Sequence, residues 1–154
     1  MTMMSETYEH KLAELRREIE GNGARPPVID RVISELLQHG DERAVADLLS
    51  LLSDQAERDE GMFSLIHAAE SFDDGAYVHR FLPIFPALFQ SAPRWASIVL
   101  MRILNSRSAH LELLKQLRNA SASTKEAIRE MCQRINDVGP EFQSKTMSVM
   151  LAAS

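Results

Sequence analysis

At 154 residues, with 45% apolar and 25% charged side chains, the chain is long enough to bury a core and lies away from the low-hydrophobicity, high-charge composition of disordered proteins. Its 22 acidic against 17 basic residues give a net charge of −5, which argues against nucleic acid as a direct ligand, because phosphate neutralisation needs a surplus of Lys and Arg on some face. A basic protein partner fits better. Cys132 is the single cysteine, so no disulfide framework or cysteine zinc cluster can be built within the chain, and a reducing, cytoplasmic setting is the expectation. The start, MTMMSETYEHK, lacks an apolar signal core, and the longest nearly unbroken apolar run, Phe81 to Phe89, contains two prolines. Neither a secretory signal nor a membrane span is expected.

Taken in chain order, Tyr8, Leu12, Leu15 and Ile19 recur at helical spacing, with Ser5 as N-cap and Gly21-Asn22-Gly23 as the stop. Pro26-Pro27 opens a second helix whose stripe is Val28, Ile29, Val32, Ile33, Leu36 and Leu37, ended by His39-Gly40. Asp41 caps a third, with Val45, Leu48, Leu49 and Leu52, followed by the charged connection from Ser53 to Glu60. The fourth helix is expected over about Gly61 to Ser71. The fifth follows Asp73-Asp74, with Tyr77, Phe81, Phe85 and Leu88 on one side and a bend near Leu82 to Phe85, since Pro83 and Pro86 each remove a backbone donor.

The sixth helix follows Pro93. Trp95, Ile98, Val99, Leu100, Met101, Ile103 and Leu104 cover almost its whole circumference, which predicts burial on several sides and a place at the centre of the fold. Ser106 or Ser108 caps a seventh carrying Leu111, Leu114 and Leu117; Ser123 with Glu126 forms a capping box ahead of Ile128, Met131 and Ile135; Pro140 opens a ninth with Phe142, Met147 and Met150. No window shows sustained β alternation. The fold expected is all-α: a single domain over residues 1–154 of about eight or nine helices, in a HEAT-like stack of antiparallel pairs, with a compact irregular bundle as the alternative.

His67 and Glu70 stand one turn apart on the fourth helix, which leaves three readings: a metal or catalytic pair, a structural polar brace, and part of a recognised surface. Neither HExxH nor a second His-x-x-Glu copy occurs, so no metal or other cofactor is expected. Arg102 interrupts an otherwise apolar helix, and a buried guanidinium needs a carboxylate. A brace is therefore expected in which Arg102 reaches Glu70, with Asn105 and His67 completing the hydrogen bonds.

Between Asp54 and Asp74 seven acids (Asp54, Glu57, Asp59, Glu60, Glu70, Asp73 and Asp74) face one base, Arg58. A solvated charged loop is one reading of that run. The other is a focused negative field that steers a basic partner, with Phe72 and Tyr77 as neighbouring aromatic anchors. Nucleophilic catalysis finds no Gly-x-Ser-x-Gly elbow and no histidine near Cys132, and no glycine-rich phosphate loop exists. A non-enzymatic chain is expected.

The segment GMFSLIHAAESFDDGAYVHRFLPIFPALFQSAPRWASIVLMRILNS resembles the small all-α immunity proteins of bacterial polymorphic-toxin and contact-dependent inhibition systems, closest to immunity protein thirty. The resemblance rests on Ile66, His67, Glu70, Phe72 and Asp73, on Tyr77, Leu82 and Pro83, on Ala92, Pro93, Trp95 and Ala96, and on Arg102, Ile103, Leu104 and Asn105, over about Gly61 to Ser106. Phe63 stands where the pattern has tryptophan. What the resemblance implies is a cytoplasmic inhibitor, itself without catalysis, that binds and blocks the C-terminal toxic domain of a cognate toxin, in many such systems a nuclease with a basic face. His67, Glu70, Trp95, Arg102 and Asn105 would then hold the fold, and the surface acids would carry specificity. A HEAT-like adaptor unrelated to toxins shares the fold and charge and is the alternative.

Overall fold

The computed structural model describes the backbone from Thr2 and the side chains from Thr7 to Ser154. All regular structure among the described residues is helical: α1 (Thr2–Gly21), α2 (Pro26–Leu37), α3 (Arg43–Leu49), α4 (Asp59–Glu70), α5 (Asp74–Ser91), α6 (Pro93–Asn105), α7 (Arg107–Leu117), α8 (Ala122–Val138), a 3-10 turn (Pro140–Phe142) and α9 (Gln143–Ala152). The all-α class is as the spacing predicts. The chain divides into two compact units, Met1–Phe72 and Asp73–Ser154.

In the first unit α1 packs on α2, α3 on α4, and α2 on α4. The four apolar residues of the α1 stripe, Tyr8, Leu12, Leu15 and Ile19, are all buried, as are Ile29, Val32, Ile33 and Leu36 of α2. The α1 start differs from expectation. It lies at Thr2, upstream of Ser5, whose side chain falls outside the described residues.

Chain direction between α1 and α2 is fixed by Glu18, only 4% exposed. Its carboxylate accepts from the Arg25 backbone N–H (3.0 Å), from Arg25 Nε (2.8 Å) and from the terminal guanidinium nitrogen (2.8 Å). Its carbonyl accepts from the N–H groups of Asn22 and Ala24. One residue thus satisfies both ends of the turn, and the positive φ of Gly23 (75°) and Ala24 (58°) closes it. Against this turn α4 comes so close that a Cβ on Gly61 would stand 2.7 Å from the Ala24 carbonyl oxygen. Glycine is required there by space, not by dihedral angle.

In the second unit α5 packs on α6, α7 and α8, so α5 rather than the expected α6 is the central helix. The reason is an aromatic ladder. Tyr77, Phe81, Phe85 and Phe89 follow at intervals of four, with successive ring centroids 6.5, 5.2 and 5.9 Å apart, and Val78, Leu82 and Leu88 bury the adjacent face. On α6 Trp95, Ala96, Val99, Leu100, Ile103 and Leu104 are buried, while Ile98 and Met101 are only half-buried, so its burial is one-sided.

The expected bend in α5 is replaced by one continuous helix with both prolines inside it. Pro86 cannot donate to the Leu82 carbonyl one turn earlier. Thr124 of α8, buried, donates its hydroxyl to that same oxygen at 3.2 Å. Pro83 frees the carbonyl of His79, which is on the exposed side.

The later helices correct several local expectations. Ser121, not Ser123, caps α8 by accepting from the Thr124 N–H. On α7 the buried residues are Ala109, Leu113 and Leu117, and Leu111, two positions from Ala109 and from Leu113 and so on the opposite face, is 60% exposed. Pro140 opens only a 3-10 turn, and the buried residues of α9 are Thr146 and Val149, with Met147 exposed and Phe142 and Met150 half-buried. Thr146 is held by the Asn136 amide oxygen at 2.6 Å. Among the described residues no helix is long and apolar enough to cross a membrane.

Candidate partner-binding site

The connection after α3 leads four of the sequence-predicted acids to one end of α4. Glu57, Asp59 and Glu60 are exposed and Asp54 is half-buried. α4 begins at Asp59, two residues earlier than expected, which puts Asp59 and Glu60 in its first turn. Carboxylates there face the positive end of the helix dipole, so the turn tolerates a concentration of negative charge that would repel elsewhere. The single base of the run, Arg58, is oriented toward the α1–α2 turn and donates to the Gly23 carbonyl at 3.4 Å. Glu57 lies beside the same glycine.

The remaining acids of the set have other surroundings. Asp73 is exposed but engaged, since its carboxylate accepts from the Ala76 N–H at 2.9 Å and forms the N-cap of α5. Asp74, half-buried, occupies the first turn of the same helix. Asp54, Glu57, Asp59, Glu60 and Phe72 belong to the first compact unit, whereas Asp73, Asp74 and Tyr77 belong to the second.

Tyr77 corrects the aromatic-anchor expectation. It is 2% exposed, stacked on Phe81 in the α5 ladder, and so is packing rather than surface. The reason is register: a residue four before Phe81 shares its buried face. Phe72 is half-buried.

Of the four polar residues assigned to a brace, His67 is exposed, its ring centroid 6.4 Å from that of Phe63. Glu70 and Arg102 are half-buried. Asn105 is exposed, and its amide oxygen accepts from Lys145 Nζ at 2.7 Å. That bond ties the end of α6 to α9, a link that no local spacing signals. Next to it His110 Nε2 lies 3.2 Å from Ser148 Oγ, and burial, with the Lys145 charge, lowers the imidazole pKa.

Cys132 is buried, and burial pushes its thiol up to about 12. Among the described residues no group of three or more His, Cys, Asp or Glu is placed to hold a metal ion. What the site offers is exposed carboxylate at a helix start, suited to meeting cationic protein surface.

Two features escaped the sequence reading. Tyr8 donates its hydroxyl to Asp47 at 2.7 Å, with the Arg43 guanidinium 4.0 Å over its ring, and burial together with Asp47 raises the phenol pKa. The Glu18–Arg25 clamp is the other. Acid and base seven apart across a glycine turn were the available signal for it.

Comparison with known proteins adds one finding. The sequence profile described as Immunity protein 30 matches residues 21–113. No curated protein and no solved structure matches the chain.

Proposed function

The chain belongs to the immunity protein 30 family, and from that premise we propose that it binds the C-terminal toxin domain of a cognate contact-dependent or polymorphic toxin and blocks it in the cytoplasm, without catalysis of its own. The family match is the observation that carries this reading. It extends over α2 to most of α7 and so across the junction of the two compact units, which supports treating residues 1–154 as one immunity-type domain. Within the first unit, the pairing of α1 with α2 and of α3 with α4 supports the HEAT-like reading, whereas in the second α5 packs on α6, α7 and α8 together, as in the alternative, an irregular bundle.

The toxin we propose is a nuclease. A nuclease must hold a phosphate backbone and so carries a basic face; the inhibitor's net charge of −5 and the exposed Glu57, Asp59 and Glu60 are its complement. Asp54 and Phe72 complete the contact surface proposed on the first unit, the whole interface being of a standard size of roughly 1,200 to 2,000 Å², and Asp73 and Asp74 of the second unit are proposed as further toxin contacts. His67, Glu70, Arg102 and Asn105 are proposed to act on the fold, not on the toxin. Occlusion, steric and electrostatic, is the mechanism.

Pull-down of the toxin domain encoded next to this chain, with rescue of growth on co-expression, tests the reading. Capture and rescue are expected. Full growth inhibition in the presence of the folded chain would instead favour a helical adaptor unrelated to toxins.

A further inference from the structure

We propose that the cleft between α6 and α8 is a docking groove for an amphipathic helix of a partner protein, one whose apolar face is flanked by carboxylates. The cleft encloses about 320 Å³ and lies wholly in the second unit. Its apolar lining comes from Met101 of α6, from Met131, Ile135 and Val138 of α8, and from Phe142 of the 3-10 turn. Val138 is 90% exposed at the end of α8, a β-branched residue in water where a polar one would cost nothing. Met101, half-buried, gives a lining that adapts to the side chains it receives.

The charge at the rim selects the occupant. Arg94 and Arg134 are the only charged residues among those lining the cleft. Each guanidinium is held over an aromatic face, Arg94 at 4.8 Å from the Trp95 ring centroid and Arg134 at 4.6 Å from that of Phe89. Glu130 bonds Arg134 at 2.9 Å from one turn earlier, outside the lining, and both side chains are more than half exposed. Such a pair is weak in water, so an incoming carboxylate can replace Glu130 at little cost. An acidic chain that presents apolar surface between two arginines is complementary to a segment unlike the basic face proposed for the toxin. A helix is the form that fits. Among the described residues no strand edge exists to extend, and a groove of this size takes the i, i+3 and i+4 side chains of one helix face rather than the helix body.

The test uses the full chain. Peptides of about 15 residues, long enough to form helix on binding, are selected from a display library, and binding of the enriched sequences to the full chain is read by the fluorescence anisotropy of the dye-labelled peptides. Apolar residues at helical spacing with flanking Asp or Glu should be enriched. Their binding should fall by roughly tenfold or more in the Arg94→Gln/Arg134→Gln variant and in Val138→Asp, all at exposed positions, with circular dichroism unchanged. Absence of enrichment, enrichment of neutral or basic sequences, or binding indifferent to those substitutions would overturn the proposal. So would a dimer in sedimentation that Val138→Asp abolishes, since a second copy would then fill the groove. Growth rescue by Val138→Asp is read alongside, so that loss of toxin binding and loss of groove binding are distinguished.

Discussion

Thr124 donates its hydroxyl to the one carbonyl, that of Leu82, whose helical donor Pro86 has removed. The long aromatic helix at the centre of the second unit is therefore continuous because a neighbouring helix repairs it. Thr124→Val keeps the shape and removes the donor, leaving a buried acceptor unsatisfied, and should destabilise by about 1–3 kcal/mol in urea unfolding. In a Pro86→Ala background the backbone N–H returns, and the same substitution should cost less. Equal cost in both backgrounds would show that Thr124 acts by packing alone.

The Glu18 carboxyl is held down at about 2, first by the side-chain hydrogen bonds from Arg25, against its usual 4.5. A folded-state pKa below the unfolded one gives stability that is complete above about 4.5 and is lost as pH falls toward 2. Chemical unfolding followed from neutral pH downward should show this slope in the native chain and a shallower one in Glu18→Gln. Identical slopes would remove Glu18 from the acid response.

Gly61→Ala sets two effects against each other. Helix propensity favours alanine by about 1 kcal/mol, but the new methyl would stand 2.7 Å from a backbone oxygen of the α1–α2 turn, and overpacking costs about 1–3 kcal/mol. The clash is with backbone, which cannot swing aside, so a lower melting temperature is expected. A higher one would mean that α4 slides freely on the turn.

Charge reversal distinguishes recognition from capping. Glu57→Lys, Asp59→Lys and Glu60→Lys should slow toxin association, and the effect should shrink with added salt. Asp59→Lys and Glu60→Lys also give up the helix-dipole interaction at the start of α4, about 0.3–1 kcal/mol each, and Asp73→Lys removes the N-cap of α5, about 1 kcal/mol. Stopped-flow association beside thermal unfolding separates the two. An unchanged on-rate in the triple variant would place the toxin elsewhere.

The helix count, the class and most of the buried stripes were legible because they follow from spacing within one element. Leu15 and Trp95 are buried for that reason. The misreadings arose where a partner from distant sequence decides. Pro86 reads as a break until Thr124 is brought to it from 38 positions away. Tyr77 reads as a surface anchor beside acids, although its register with Phe81 already placed it inside. Ser121 and Ser123 offer the same capping chemistry, and Thr124, whose hydroxyl donates to the Leu82 carbonyl, donates its backbone N–H to the former. In the candidate site the acids were visible as a run, but not that Asp73 is committed to α5 and Arg58 to Gly23.

Cys132, sealed in α8 with its proton held firmly, leaves the folded molecule without a competing sulfhydryl at its surface. A cysteine introduced at Glu60 or at Val138, both outward-facing, is then the sole point of attachment for a maleimide dye or spin label. The acidic helix start and the arginine-rimmed groove can each be reported on separately, in the same protein, without first removing a native residue.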